Sequence, residues 1–331
     1  MPSMQRIHRS MDRALKKSKV INFDLDKDRL IMFSDLHRGS RDEADDFIRC
    51  EDTYAHALKS YLQENWHLAL LGDIEELWEN SITEVVRSYP QILALEDQFA
   101  QQSRLLRIWG NHDDFWRESF VFRHYFKQLF KTVDCRECIV LRCFRDGDFL
   151  GEVSLMHGHQ GSWTSEKFAT ISRFFVRYGW RYFQKFTGYK LSGPSQSLVL
   201  KSETDHAMYH WALKERKILV CGHTHSPVFM SGTYLDHIDE QLAIHAHDDK
   251  ESKHWQEEKE KHKERNTHIH VHGHRYPMYF NTGCCSYRDG DITGIEMDGD
   301  ELRLIKWSAV SFKRTVLHRV STQNIFSQTK Y

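Results

Sequence analysis

The chain has 331 residues, 40% hydrophobic and 28% charged, and its 46 Lys and Arg against 47 Asp and Glu leave a net charge of −1. Only five prolines are present, which argues against long disordered linkers, and a charge so near zero gives no bulk pull toward nucleic acid or membrane, so any basic surface is local. Residues 1–20 are polar and basic without the apolar stretch of a signal peptide, no apolar run is long enough to span a bilayer, and the seven cysteines at irregular spacings read as reduced thiols, so the expected compartment is the cytoplasm.

Residues 1–28 read as a basic, partly helical lead-in. The apolar run 30–33 then stops at Ser34, Asp35, Leu36 and His37, the pattern of a buried strand that delivers polar residues at its C-terminal end. Helical spacing follows over 43–63. A second buried strand, 67–71, ends at Gly72 and Asp73, and helical patterns fill 76–102. A third strand, 105–109, ends at Gly110, Asn111, His112 and Asp113. Strands alternating with helices imply parallel pairing with right-handed crossovers, and such sheets place their sites at strand C-termini. Two further strands, 138–144 and 149–156, end at His157 and Gly158. Helices are predicted over 163–187 and 195–215, and another strand, 218–221, ends at Gly222, His223, Thr224 and His225. Strands return at 278–280, 292–297 and 301–307, with Asp298-Gly299 as a tight hairpin turn. No internal repeat and no second core are visible, so 1–331 is expected to be a single domain with insertions at 160–216 and 237–275.

Five short segments need one explanation: D-x-H at 35–37, G-D at 72–73, G-N-H-D at 110–113, H-G at 157–158 and G-H-x-H at 222–225. Alone, each Asp is a turn residue and each His a rim residue. Together, each at a strand end, they supply carboxylate, imidazole and amide donors. That donor set suits Mn, Fe, Zn, Co or Ni, and a carboxylate can bridge two cations about 3.5–4 Å apart. No cysteine lies in these segments, so a thiolate site is not indicated.

In this order the five segments resemble the calcineurin-like metallophosphoesterase superfamily, over the core from residue 31 to about 307. The resemblance implies a four-layer α/β/β/α sandwich and two divalent metal ions, manganese first. It implies that Asp35, His37 and His225 hold one metal, that Asn111, His157 and His223 hold the other, and that Asp73 bridges them. A bridging hydroxide would attack phosphorus, His112 would contact the phosphate and protonate the leaving oxygen, and Asp113 would orient His112. Residues 72–78, Gly-Asp-Ile-Glu-Glu-Leu-Trp, resemble the UDP-2,3-diacylglucosamine pyrophosphohydrolase branch, which carries a helical cap at the place of 160–216. Two departures point to a more general phosphoesterase: His112 stands where that branch has arginine, and His159 where it has aspartate. The substrates implied are a phosphorylated small molecule, a nucleotide or a lipid precursor, by phosphomonoester, phosphodiester or pyrophosphate hydrolysis. The alternative reading is a nuclease or cyclic phosphodiesterase of the same superfamily.

Four further readings concern substrate and surface. Arg38 either meets a phosphate oxygen or forms a surface ion pair, and His159 either faces substrate or sits in a plain loop. Arg173, Arg177 and Arg181 recur every four residues on one helical stripe, either a diphosphate-binding cap or a solvated face. Residues 237–274 hold nine of the 22 histidines beside a Glu/Lys-rich stretch at 248–265, read as an exposed helix and a solvated insertion.

Overall fold

The computed structural model describes residues 4–118, 120, 122–161, 198–246, 248–262 and 276–329. Strands β2 (Arg29–Phe33), β3 (His67–Leu71), β4 (Leu105–Ile108) and β5 (Cys135–Arg136) pair parallel in chain order. Helix α2 (Glu51–Gln63) connects the first two, and helices α3 (Ile82–Ser88) and α4 (Pro90–Gln101) connect the next. On the other side of β2 the sheet continues antiparallel through β12 (Ile292–Asp298), β13 (Glu301–Trp307) and β14 (Arg314–Ser321). A second seven-stranded sheet contains β1 (Lys19–Asp24), β6 (Cys138–Arg145), β7 (Asp148–Met156), β8 (Ile218–Cys221), β11 (Tyr279–Asn281), β9 (Val228–Phe229) and β10 (Gly232–Thr233), in that order across the sheet.

The period-two alternation of the buried strands explains the layering. In β2, Leu30 and Met32 enter the core between the two sheets, while Ile31 and Phe33 face the core shared with Tyr54 and Tyr61 of α2 and Phe99 of α4. In β8, Ile218 and Val220 face the same inter-sheet core, and Leu219 and Cys221 pack outward with α1 (Met4–Lys16) and α5 (Leu198–Glu215). The result is the expected helix–sheet–sheet–helix sandwich. The lead-in is more than a basic tail, because Ile7, Met11 and Ala14 form a buried stripe that makes α1 part of an outer layer. Residues 19–24 form an edge strand paired parallel with β6.

The helix predicted over 195–215 is α5, and Ala207, Met208, Trp211 and Ala212 bury it against the second sheet beside α1. Trp211 Nε1 donates to Asp12 Oδ1 at 2.8 Å and ties the two helices together. The predicted helix 163–187, with Arg173, Arg177 and Arg181, lies outside the described residues. Helices α6 (Tyr234–Ile244) and α7 (Asp249–His262) follow β10 in the stretch that includes the histidine-rich residues. Thr233 and Asp236 close a reciprocal capping box at the start of α6. Helix α7 is the exposed charged helix expected, anchored where Trp255 meets the Leu235–Ile238 cluster and Lys259 pairs with Asp239 at 2.6 Å. His268, His270, His272 and His274 lie outside the described residues. All seven cysteines are free thiols. Among the described residues no helix is long and apolar enough to cross a membrane.

Candidate metal centre

The segments leaving β2, β3, β4, β7 and β8 converge at one edge of the sandwich. Their backbones are cross-linked first: Asp35 N–H donates to Gly72 O at 3.1 Å, His37 N–H to Asp73 O at 2.9 Å, and Gly222 N–H to His157 O at 2.9 Å. Asp35 (φ 53°), His37 (51°), Asp73 (53°), His223 (72°) and His225 (56°) all sit in the left-handed region. Each such residue costs on the order of 1–3 kcal/mol and persists only where its surroundings over-determine it. Gly110 is required for space, since a Cβ there would overlap the Asp73 carboxylate and lie 2.7 Å from Asp73 N. Gly110→Ala is therefore expected to displace Asp73, with metal content of the purified protein falling along with activity. Unchanged metal content would contradict this packing argument.

Three groups of possible ligand atoms result, and two of them, Asp35–His37–His225 and Asp73–His157–His223, carry the expected ligands, while the third, His37–Glu76–His112, shares His37 with the first of these. In the first, His225 Nε2 lies 3.2 Å from Asp35 Oδ1 and 3.1 Å from His37 Nε2. In the second, His157 Nε2 lies 3.0 Å from Asp73 Oδ2. That same oxygen is 3.9 Å from His37 Nε2, so Asp73 Oδ2 stands between the groups. Its partner oxygen, Oδ1, is occupied by the His112 N–H at 2.8 Å. Outer contacts aim the ligands inward. His157 Nδ1 bonds Leu71 O at 2.8 Å, which turns Nε2 toward the centre. Ser34 Oγ and the His223 N–H, the latter at 2.8 Å, both donate to Asp35 Oδ2 and leave Oδ1 facing the cluster.

The donor atoms fit cations better than they fit each other. Asp35 Oδ1, Asn111 Oδ1 and His157 Nε2 are buried without a well-formed hydrogen bond, in a protein interior where polar atoms are nearly always paired. The charge balance agrees. Burial pushes Asp35 up, yet His225 and His157 overcome it and hold the carboxyl at about 2. Burial pushes His37 and His157 down, yet Glu76 and Asp73 lift His37 to about 10, and Asp73 lifts His157 to about 9. The carboxylates thus draw positive charge into the pocket, which divalent cations supply without protons. Oxygen and nitrogen donors without sulfur suit Mn, Fe, Zn, Co or Ni.

Residues 29–227, more than half of the chain, match the family profile described as calcineurin-like phosphoesterase. The chain belongs to this family. No curated protein matches it. Similar solved structures include a conserved uncharacterized protein, a predicted phosphoesterase, from Streptococcus pneumoniae TIGR4 (12% identity, 89% of this chain and 97% of that one, TM-score 0.34). Vacuolar Protein Sorting 29 from Cryptosporidium parvum gives 11%, 89%, 97% and 0.37, and purple acid phosphatase PPD1 from yellow lupin (Lupinus luteus) seeds gives 11%, 89%, 53% and 0.33. The family assignment rests on the profile match alone.

Within this calcineurin-like phosphoesterase, Asp35, His37, Asp73, Asn111, His157, His223 and His225 all meet at the one edge, with His112 beside them. Three other expectations are corrected. Asp113 does not orient His112: it is fully buried and accepts the N–H groups of Gly110 (2.6 Å) and Ile74 (2.9 Å), pinning the β3 and β4 exits together. The residue at His112 is Glu76, whose Oε2 lies 2.6 Å from His112 Nδ1 and 3.1 Å from His37 Nδ1. Its sequence signal was an acid three residues beyond Asp73. Arg38 neither meets phosphate nor reaches the surface, because it is wholly buried and ion-paired to Glu75 (2.6 Å) and Glu96 (2.9 Å). His159 is also buried, packed against Trp109 and His157, and burial together with His157 keeps it well below the usual histidine range, hence neutral. It packs against His157 away from solvent.

Proposed function

We propose that this protein is a metal-dependent hydrolase of phosphomonoester, phosphodiester or pyrophosphate bonds, acting by in-line displacement with water. The observation that carries the proposal is the position of Asp73 Oδ2 between two groups of inward-aimed ligands. Asp35, His37 and His225 would hold one cation, manganese by preference, and Asn111, His157 and His223 the other, with Asp73 shared. Bound there, two divalent cations polarise phosphoryl oxygens and bring the pKa of water to about 7.

The chain's own acid is His112. Its ring stacks on Trp78 (centroids 4.1 Å apart, 20° between planes) and is more exposed than His37 or His157. Burial opposes a proton on His112, but Glu76 and Asp73 outweigh it and raise its pKa. With Nδ1 held by Glu76, Nε2 is the nitrogen that meets the leaving oxygen and protonates it. Trp78 adds an aromatic wall beside this acid, which favours substrates with a base, ring or acyl chain. A sugar-nucleotide lipid of the pyrophosphohydrolase branch is one such substrate.

Metal-stripped protein given Mn²⁺ is expected to hydrolyse an aryl phosphate or a bis-aryl phosphodiester, and to stop on chelation. A panel of aryl phosphates, cyclic nucleotides, UDP-sugars and single-stranded DNA then ranks the substrate classes. Silence across the panel with Mn²⁺ present would overturn the proposal.

A further inference from the structure

The loop carrying His223 and His225 is anchored from behind by a helix that contributes no ligand. His223 and His225 face the metal centre, while Thr224, between them, is buried on the opposite side. Its Oγ1 donates at 3.0 Å to Oδ1 of Asp205, which lies 19 residues upstream on α5. Asp205 is fully buried, and the same oxygen accepts the Tyr279 hydroxyl at 2.6 Å. Asn281 completes the arrangement, its Nδ2 lying 2.6 Å from Gly222 O, 3.1 Å from Thr224 Oγ1 and 3.2 Å from the Tyr279 hydroxyl.

This network has a conformational task. His223 and His225 are both left-handed, and between them Thr224 N–H donates to Gly222 O at 2.9 Å. Two left-handed residues flanking Thr224 need outside support. A carboxylate taken fully out of water is costly unless hydrogen-bonded, so its placement under this loop is a constraint on both partners. Burial and the Asp205 charge both push the Tyr279 hydroxyl far above its ordinary pKa, which keeps it a donor to Asp205 at every working pH.

We infer that Asp205 of α5 is a positioning residue for the metal centre, acting through Thr224 to hold His223 and His225 in their ligating conformation. This rests on the metal-ligand roles proposed above and extends them to a helix on the far side of the second sheet. Through it, α5 is mechanically joined to one ligand from each group.

The test is Mn²⁺ titration calorimetry on metal-stripped protein, with the melting temperature of the stripped form and the Mn²⁺ dependence of turnover measured in parallel. Asp205→Ala is expected to weaken Mn²⁺ binding by about 10–100-fold, the usual effect of losing a residue that orients a ligand. Turnover should recover at high Mn²⁺. Asp205→Asn keeps an oxygen acceptor in place and should regain most of the affinity. Thr224→Val and Tyr279→Phe each delete one hydroxyl with little change of shape, should lose affinity in the same direction, and decide the matter if Asp205→Ala does not fold. Mn²⁺ affinity equal to that of the unmodified protein in these variants, with only the melting temperature lowered, overturns the inference and leaves the metal centre standing. An unmodified protein that binds no Mn²⁺ overturns both.

Discussion

Asp73→Asn is expected to lower kcat/KM for an aryl phosphate by about 10³-fold or more, the upper end of what one electrostatic group contributes. The side chain keeps its size, and its oxygen can still accept the His112 N–H that now binds Oδ1 at 2.8 Å. What is lost is the negative charge at Oδ2, the atom 3.0 Å from His157 Nε2 and 3.9 Å from His37 Nε2. A neutral amide there cannot share two cations. Metal analysis of the variant should therefore show the second cation missing, while circular dichroism remains that of the folded protein. Asp73→Ala should be at least as damaging. Normal turnover with a full metal complement in either variant would mean that the oxygen between the groups is not used.

Glu75→Ala is expected to destabilise the fold by about 3–5 kcal/mol, measured by urea unfolding at neutral pH. Glu75 is buried and accepts from Arg38 (2.6 Å), Arg107 (2.5 Å) and Trp116 Nε1 (2.9 Å). Burial alone would raise its pKa, but Arg107 and Arg38 overcome this and hold it ionised. Truncation leaves Arg107, itself fully buried, with only Asp113 at 3.7 Å as a carboxylate partner among the described residues. Removing one member of a buried charged set costs far more than the set contributes over an apolar replacement, because the remaining charge stays out of water. Arg38 retains Glu96, so the damage should centre on Arg107 and the β4 exit that carries Asn111 and His112. A shift in the midpoint no larger than that of an exposed Glu→Ala control would show that the network is not under this constraint.

Much of the site was legible because its physics is local. A run of four or five mostly apolar residues halted by Ser or Gly, with Asp, Asn or His next in line, announces both the buried strand and the place where its side chains emerge, and this holds for β2, β3, β4 and β8. The misread residues depend on partners far along the chain. Arg38 reads as a surface cation until Glu75 and Glu96, 37 and 58 residues away, are brought to it. The family resemblance assigns Asp113 to the His112 ring, yet in this turn Asp113 faces the Gly110 and Ile74 N–H groups, and Glu76 arrives at His112 from another strand exit. Strand β14 is not legible in the sequence for a different reason. It is an edge strand whose residues are exposed or only half-buried, so it carries no apolar alternation to read. In helix α1 the exposed basic residues mask the stripe of Ile7, Met11 and Ala14.

The left-handed backbone at Asp35, His37, Asp73, His223 and His225 also narrows what mutation can reach. Glycine, asparagine, aspartate and histidine are the side chains best tolerated in that conformation, while β-branched and bulky ones are strongly disfavoured. Two of those four are themselves strong metal ligands of the types found here. Chain shape and coordination chemistry therefore select nearly the same short alphabet at these five places, and a library randomised there would lose most members to misfolding before any was lost to poor catalysis.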